Sequence, residues 1–141
     1  MTFTSGFKRT SIFAATIVLS LAATAIANAA CSDPAAPYVN WEKCDKGSAS
    51  LTNADLENAE LTNANLTSAN LSGANLRGAD LRTTNLTSAN LTGTVLIGAY
   101  LIGADLTGAN LTGANLGGAD LSSAIWTDGR VCAEVSVGEC R

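Results

Sequence analysis

Leucine recurs at every fifth position from Leu51 to Leu121, fifteen times without a miss, and Trp126 and Val131 continue the phase. Alanine stands two residues before each leucine, from Ala49 to Ala119, except at Thr84 and Thr94. No ordinary element can use this period. On an α-helix five residues advance about 500°, so successive leucines would point to every side. On a straight strand five is odd, and they would alternate between faces. Within one unit, however, Ala and Leu are two apart and can point the same way on a short extended piece. The next alanine lies three further on, so the chain must turn a corner between units. The corner positions are Asn53, Asn58, Asn63, Ser68, Gly73, Gly78 and Thr83, then Ser88, Gly93, Gly98, Gly103, Gly108, Gly113, Gly118 and Ser123. Most of these are turn formers, several tolerant of unusual backbone angles. A chain that turns the same way at every unit coils into a solenoid with Leu and Ala inside.

Units such as Ala69-Asn70-Leu71-Ser72-Gly73 resemble the pentapeptide-repeat family, without a gap over 49–126 and loosely over 39–131. The resemblance implies an all-β fold, a right-handed quadrilateral parallel β-helix with four units per coil. About four to five coils, capped at both ends, would use up the repeat. Residues twenty apart would then stack about 4.8 Å apart, with Leu51, Leu71, Leu91 and Leu111 in one interior column. The narrow interior asks for alanine beside leucine, so Thr84 and Thr94 are expected to be slightly strained or to mark local bulges. Burying a leucine is worth about 1.5–3 kcal/mol before entropy, so fifteen supply a sufficient core.

The expected organisation is a signal peptide over 1–29, an N-terminal cap over 30–48, the β-helix over 49–126 and a C-terminal cap over 127–141. Lys8 and Arg9 precede an apolar run from Ser11 to Ile26, and Ala27-Asn28-Ala29 gives a small-x-small ending. That is the pattern of a secretory signal cleaved near Ala29, which implies a periplasmic or secreted protein. The run is shorter than the ~20 residues a membrane span needs, so no span is expected after cleavage. Asn28, three positions before Cys31, is not the aliphatic residue of a lipoprotein signal, which argues against lipidation of Cys31. A solenoid needs its end edges covered, and Tyr38, Trp41 and Trp126 are placed to plug them. Cys31 and Cys44 precede the repeat, while Cys132 and Cys140 follow it. A bridge across four coils would have to cover roughly 20 Å, whereas a disulfide needs Cα atoms within ~7 Å. The expected pairs are therefore Cys31–Cys44 and Cys132–Cys140, consistent with an oxidising compartment.

Catalysis is disfavoured by the residue inventory. There is no His among 141 residues, and with the cysteines bridged no Ser or Thr has a plausible base beside it. No cofactor or metal is expected. From Ala30 onward the chain carries 6 basic and 12 acidic residues, a net of −6, which argues against a nucleic-acid-binding surface.

Stacking by twenty turns the outward positions into columns. One is acidic with an aromatic interruption: Glu60, Asp80, Tyr100, Asp120. Val95, Ile97, Tyr100 and Ile102 are expected to form an exposed apolar patch in a surface of Asn, Asp, Thr and Ser. Such a patch suggests a protein partner or self-association. The function expected is that of an exported, non-enzymatic structural or interaction module facing an unknown envelope or extracellular partner. The alternative, implied by other members of the resembled family, is a DNA mimic that inhibits a topoisomerase-type enzyme. Residues 51–126 carry six acids and two Arg along a rod of about 18 Å, where duplex DNA would carry about ten charges. A minor alternative is ice binding through two stacked columns, Thr67-Thr87-Thr107-Thr127 and Thr52-Ser72-Thr92-Thr112.

Overall fold

Each five-residue unit closes its own turn and pairs with units twenty residues away. The computed structural model describes residues 31–141, so the expected signal peptide and its cleavage point lie outside the described residues. In the unit starting at Leu71, the Ala74 N–H donates to the Leu71 carbonyl at 3.0 Å, and Gly73 between them has φ 67°. That bond with a positive φ at the third residue marks a type II turn. The extended residues bond to neighbouring coils: the Leu71 N–H reaches the Asn90 carbonyl at 2.8 Å and the Asn75 N–H reaches the Ala54 carbonyl at 2.9 Å. Parallel bridges repeat this without a gap from Asn40–Glu60 to Asp105–Ile125. All fifteen corner residues read from the sequence have φ between 54° and 70°. Thr83 does so at 55° despite its branched Cβ, a conformation that is uncommon for such residues.

The interior is the expected leucine ladder flanked by alanines. Leu56 through Leu106 are fully buried, and Ala59 through Ala104 lie beside them at 0–1% exposure. Thr84 and Thr94 are also fully buried, and here the expectation of strain or bulging is corrected. The Thr84 hydroxyl donates to the Leu61 carbonyl at 2.7 Å, and the Thr94 hydroxyl to the Leu71 carbonyl at 2.8 Å. The ladder bridges at Asn85–Asp105 and Val95–Asn115 continue undisturbed. Each threonine therefore fills the alanine slot and satisfies its own hydroxyl inside the core. Thr84→Ala should lower stability by about 1–2 kcal/mol in urea denaturation, from a lost hydrogen bond and lost packing. A strained threonine would instead gain stability from the same change.

The coil starts earlier than the Ala–Leu register suggests. Tyr38, Lys43 and Ser48 have φ of 60°, 59° and 57°, and the first bridges involve Asn40, Asp45 and Ser50. Residues 39–48, which the sequence reading placed in a separate cap, are therefore coil. Val39, Trp41 and Cys44 occupy the inward positions there and are buried. Trp41 plugs the core end at 1% exposure, whereas Tyr38 stands in a turn at 73% exposure and does not plug it. The Trp41 Nε1–H donates to the Asp33 carbonyl at 3.2 Å, and Lys46 places its ammonium 3.9 Å from the Trp41 ring centroid.

At the other end the fivefold phase breaks. After Trp126 the chain reverses through Gly129, at φ 86°, and bridges antiparallel to itself at Ile125–Val131 and Asp120–Val137. Val131, in phase by sequence, is consequently 66% exposed, while Trp126 stays half-buried against the core. Cys31 bonds Cys44 and Cys132 bonds Cys140, with Cα separations of 5.4 and 5.0 Å. A sulfur held in the Cys31–Cys44 bridge is not free to carry a lipid thioether. Among the described residues, no helix is long and apolar enough to cross a membrane.

Candidate interaction surface

One side of the prism differs from the others in its chemistry, and the difference starts in the turns. On most units an Asn or Asp precedes the leucine, and its Oδ1 accepts the N–H two residues later. Asn75 does this for Arg77 at 3.2 Å, Asn90 for Thr92 at 3.2 Å and Asp105 for Thr107 at 2.9 Å. This Asx lock satisfies a backbone donor that the turn would otherwise leave to water. Most outward Asn and Asp residues are thus structural. Where threonine follows at the second position, its hydroxyl often donates to the same oxygen, as at Thr67, Thr92, Thr107 and Thr112. Four of the eight hydroxyls in the two threonine columns are therefore already engaged in the turns.

Two consecutive units, Thr94–Gly98 and Ala99–Gly103, abandon the lock. Val95 and Tyr100 replace the Asx residue, and Ile97 and Ile102 replace the polar residue two positions on. The Asx residue is also missing at Ser50, Glu60 and Ile125, but only in these two units are both outward positions apolar, a departure of the kind found at functional surfaces. The structure divides the four residues into two pairs. Tyr100 and Ile102 are 52% and 36% exposed on one side of the prism. Val95 and Ile97 are half-buried around the corner made by Gly98, at φ 65°.

Tyr100 sits in the bridge column Asn40, Glu60, Asp80, Tyr100, Asp120. Two open clefts lie along it. One, of about 300 Å³, is lined by Glu42, Glu60, Thr62, Asp80 and Arg82. The next, of about 360 Å³, is lined by Asp80, Arg82, Tyr100, Ile102 and Asp120. The Asp80–Arg82 pair forms the wall between them, with Arg82 Nε 2.8 and 3.0 Å from the two carboxylate oxygens. Val95 and Ile97 line neither cleft.

The acidic column is less free than its composition suggests. The Arg82 guanidinium holds the Asp80 carboxyl below its ordinary pKa. Asp120 accepts both the N–H and the hydroxyl of Ser122, at 3.0 and 2.5 Å. Glu60 accepts from the Asn40 carboxamide of the coil below. Away from this side, the Thr107 hydroxyl and N–H hold Asp105 below the usual range as well. Because both folded-state pKa values are lowered, the unfolded chain binds more protons as acid is added. The associated stability is present above about pH 4 and is lost as pH falls through the folded values. Melting temperature should hold steady from neutral pH to about 5 and fall below about 4. Asp105→Asn keeps an acceptor for the Thr107 N–H and should flatten part of that fall; an unchanged acid limb would show that Asp105 does not contribute to it.

The sequence reading found Tyr100 and Ile102 as apolar residues in a polar surface. Stacking by twenty also puts Thr62, Arg82, Ile102 and Ser122 in the companion column beside that of Tyr100, and three of these line the clefts. Glu42, in the region assigned to the cap, is the lining residue that the sequence reading missed.

The family model described as pentapeptide repeats matches residues 49–87 and 89–125, in eight copies. The chain is 34% identical to a pentapeptide repeat protein of Nostoc PCC 7120, covering 78% of this chain and 76% of that one with a TM-score of 0.54. It is 36% identical to a pentapeptide repeat protein of the cyanobacterium Cyanothece 51142, covering 67% of each chain with a TM-score of 0.40. No curated protein matches the chain.

Proposed function

Because the chain belongs to the pentapeptide-repeat family, whose members fold as right-handed quadrilateral β-helices, we propose that it is a non-enzymatic interaction module working outside the cytoplasm. The side carrying Tyr100 and Ile102 is its binding surface, and the partner is a protein. The observation that carries this reading is the pairing of an exposed tyrosine and isoleucine with a charged cleft, at the place where the turn lock is given up. Tyrosine flanked by an aliphatic side chain and an arginine-bearing rim has the composition of a protein-binding hot spot. The clefts are shallow and open, which suits a side chain of a protein partner better than an enclosed small molecule. Two disulfides in so short a chain support an oxidising location.

Two measurements test the reading. N-terminal sequencing of the protein from fractionated cells should find it cleaved near Ala29 and outside the cytoplasm; an uncleaved cytoplasmic protein would reject export. Tyr100→Ser with Ile102→Ser should weaken capture of the partner by at least about tenfold, the effect of losing a hot-spot aromatic. Both residues lie on the outer surface, so the melting temperature should barely move. Undiminished capture by the double variant would reject this surface.

A further inference from the structure

Val95 and Ile97 depart from the repeat together with Tyr100 and Ile102, yet they line neither cleft and lie around the Gly98 corner. On their own side Val95 bridges Asn75 below and Asn115 above. Ile97 stands over Arg77, and Gly117 above it has no side chain to cover it. Val95→Asn would restore the acceptor that Asn75 provides for the Arg77 N–H at 3.2 Å one coil below. The valine therefore does nothing for the turn.

The ridge joining the two sides is bare. The corner positions stacked along it, Gly78, Gly98 and Gly118, are all glycine. Nothing stands within 4 Å of where a Cβ would project at Gly98 or Gly118. The backbone angle does not demand glycine here, since Asn58 holds the same corner two coils below at φ 54°. The ridge on the far side of Tyr100 differs. Its corner positions are Thr83, Gly103 and Ser123, and the Thr83 methyl lies 3.5 Å from where a Gly103 Cβ would stand. A molecule seated on Tyr100 can approach the main chain closely across the Gly98 ridge, while side chains guard the other.

We infer that the partner straddles the Gly98 ridge. It is a protein whose groove has two apolar walls, one resting on Tyr100 and Ile102 and the other on Val95 and Ile97. The inference rests on the reading of the Tyr100 side as the binding surface and extends it around the corner. The continuity of the two apolar pairs across a side-chain-free edge carries it, because the core of a protein contact is apolar, contiguous and closely packed. Charge sets the rim. Among the described residues neither Arg77, below Ile97, nor Asp120, above Tyr100, has an ion-pair partner. The groove therefore carries a carboxylate toward Arg77 and a basic side chain toward Asp120, at diagonally opposite positions that fix its orientation.

The protein crosslinked from position 100 in intact cells, identified by mass spectrometry and purified, is the probe. Titrated against the purified, disulfide-bonded chain, it should bind Gly98→Asn, Val95→Asn and Arg77→Glu each at least about tenfold more weakly. Gly108→Asn, at the diagonally opposite corner of the same coil, should bind as the native chain does. Asparagine already occupies the equivalent corner at Asn58, and Val95→Asn restores a turn lock, so both variants should melt close to the native chain. Binding that is weakened by Ile102→Ser but indifferent to Gly98→Asn and Val95→Asn would leave the Tyr100 side standing and overturn the straddling contact. A loss shared equally by Gly108→Asn would overturn it too. No adduct from position 100 would overturn both readings.

Discussion

Leu81→Ala should lower the free energy of unfolding by roughly 3–5 kcal/mol, the upper part of the range for buried leucines. Leu81 is fully buried in the middle of its column, between the rungs of Leu61 and Leu101, which are fully buried too. The surrounding ladder is fixed by backbone bonds from Leu81 to Tyr100 at 2.8 Å and from Leu61 to Asp80 at 2.8 Å, so the site has little freedom to collapse onto the cavity. The same substitution at Leu116 should cost about half as much, because that side chain is already half-exposed in the last coil. Urea denaturation of the two variants provides the comparison. Equal losses would mean that the leucine columns do not form the continuous core described here, since nearest-neighbour stacking makes a central rung worth more than a terminal one.

Breaking the Cys132–Cys140 bond should cost about 2–3 kcal/mol, the loop-closure value for a link spanning eight residues. The consequence reaches further than that figure, because the bridge holds the segment that covers half of the last coil. Freed, the segment would release the amide of Leu121 and the carbonyls of Ala119 and Ala124, which it now satisfies. A longer unpaired edge then becomes available for association between chains. A reductant, or Cys132→Ser with Cys140→Ser, should therefore lower the melting temperature and promote aggregation. Cys132 is 2% exposed, so the variant places a serine in the core, while a reductant also opens Cys31–Cys44; a loss common to both treatments belongs to the terminal bridge. A reduced protein that melts and stays soluble like the oxidised one would show that the terminal segment holds its place without the bond.

The coil was legible where residue identity repeats and obscure where only backbone geometry does. Over 49–126 the Ala and Leu positions and the corner residues specify the path, and the structure follows them position by position. Over 38–48 the same path is taken by Val39, Trp41 and Cys44 inside, with Tyr38 and Lys43 at corners. Neither tyrosine nor lysine announces a positive φ, so the turn there is imposed by pairing with the next coil rather than by local preference. Val131 shows the converse. Its spacing matches the repeat, but Asp128-Gly129-Arg130 reverses the chain and sends it outward.

The candidate site was legible in part for a related reason. Tyr100 and Ile102 stand out by composition alone. The separation of Val95 and Ile97 from them depends on the corner at Gly98, and the Asp80–Arg82 wall depends on side-chain direction, which a residue count does not contain. The Asn and Asp columns looked like surface polarity, or an acidic edge, because the Asx lock becomes visible only once the N–H two residues later is seen to point at the side-chain oxygen. With the lock recognised, the two units that replace both of its outward positions with apolar residues become the exceptional ones; Ser50, Glu60 and Ile125 lack the Asx residue but keep a threonine two positions on.

The central claim is that the Tyr100 side is where this protein meets its partner. A photo-crosslinking amino acid at position 100, in intact cells making the otherwise native chain, tests it most directly. The account predicts a discrete crosslinked protein that is lost with Ile102→Ser and is not captured from position 92, which lies outside both clefts. No adduct from position 100, or the same adducts from both positions, would contradict it.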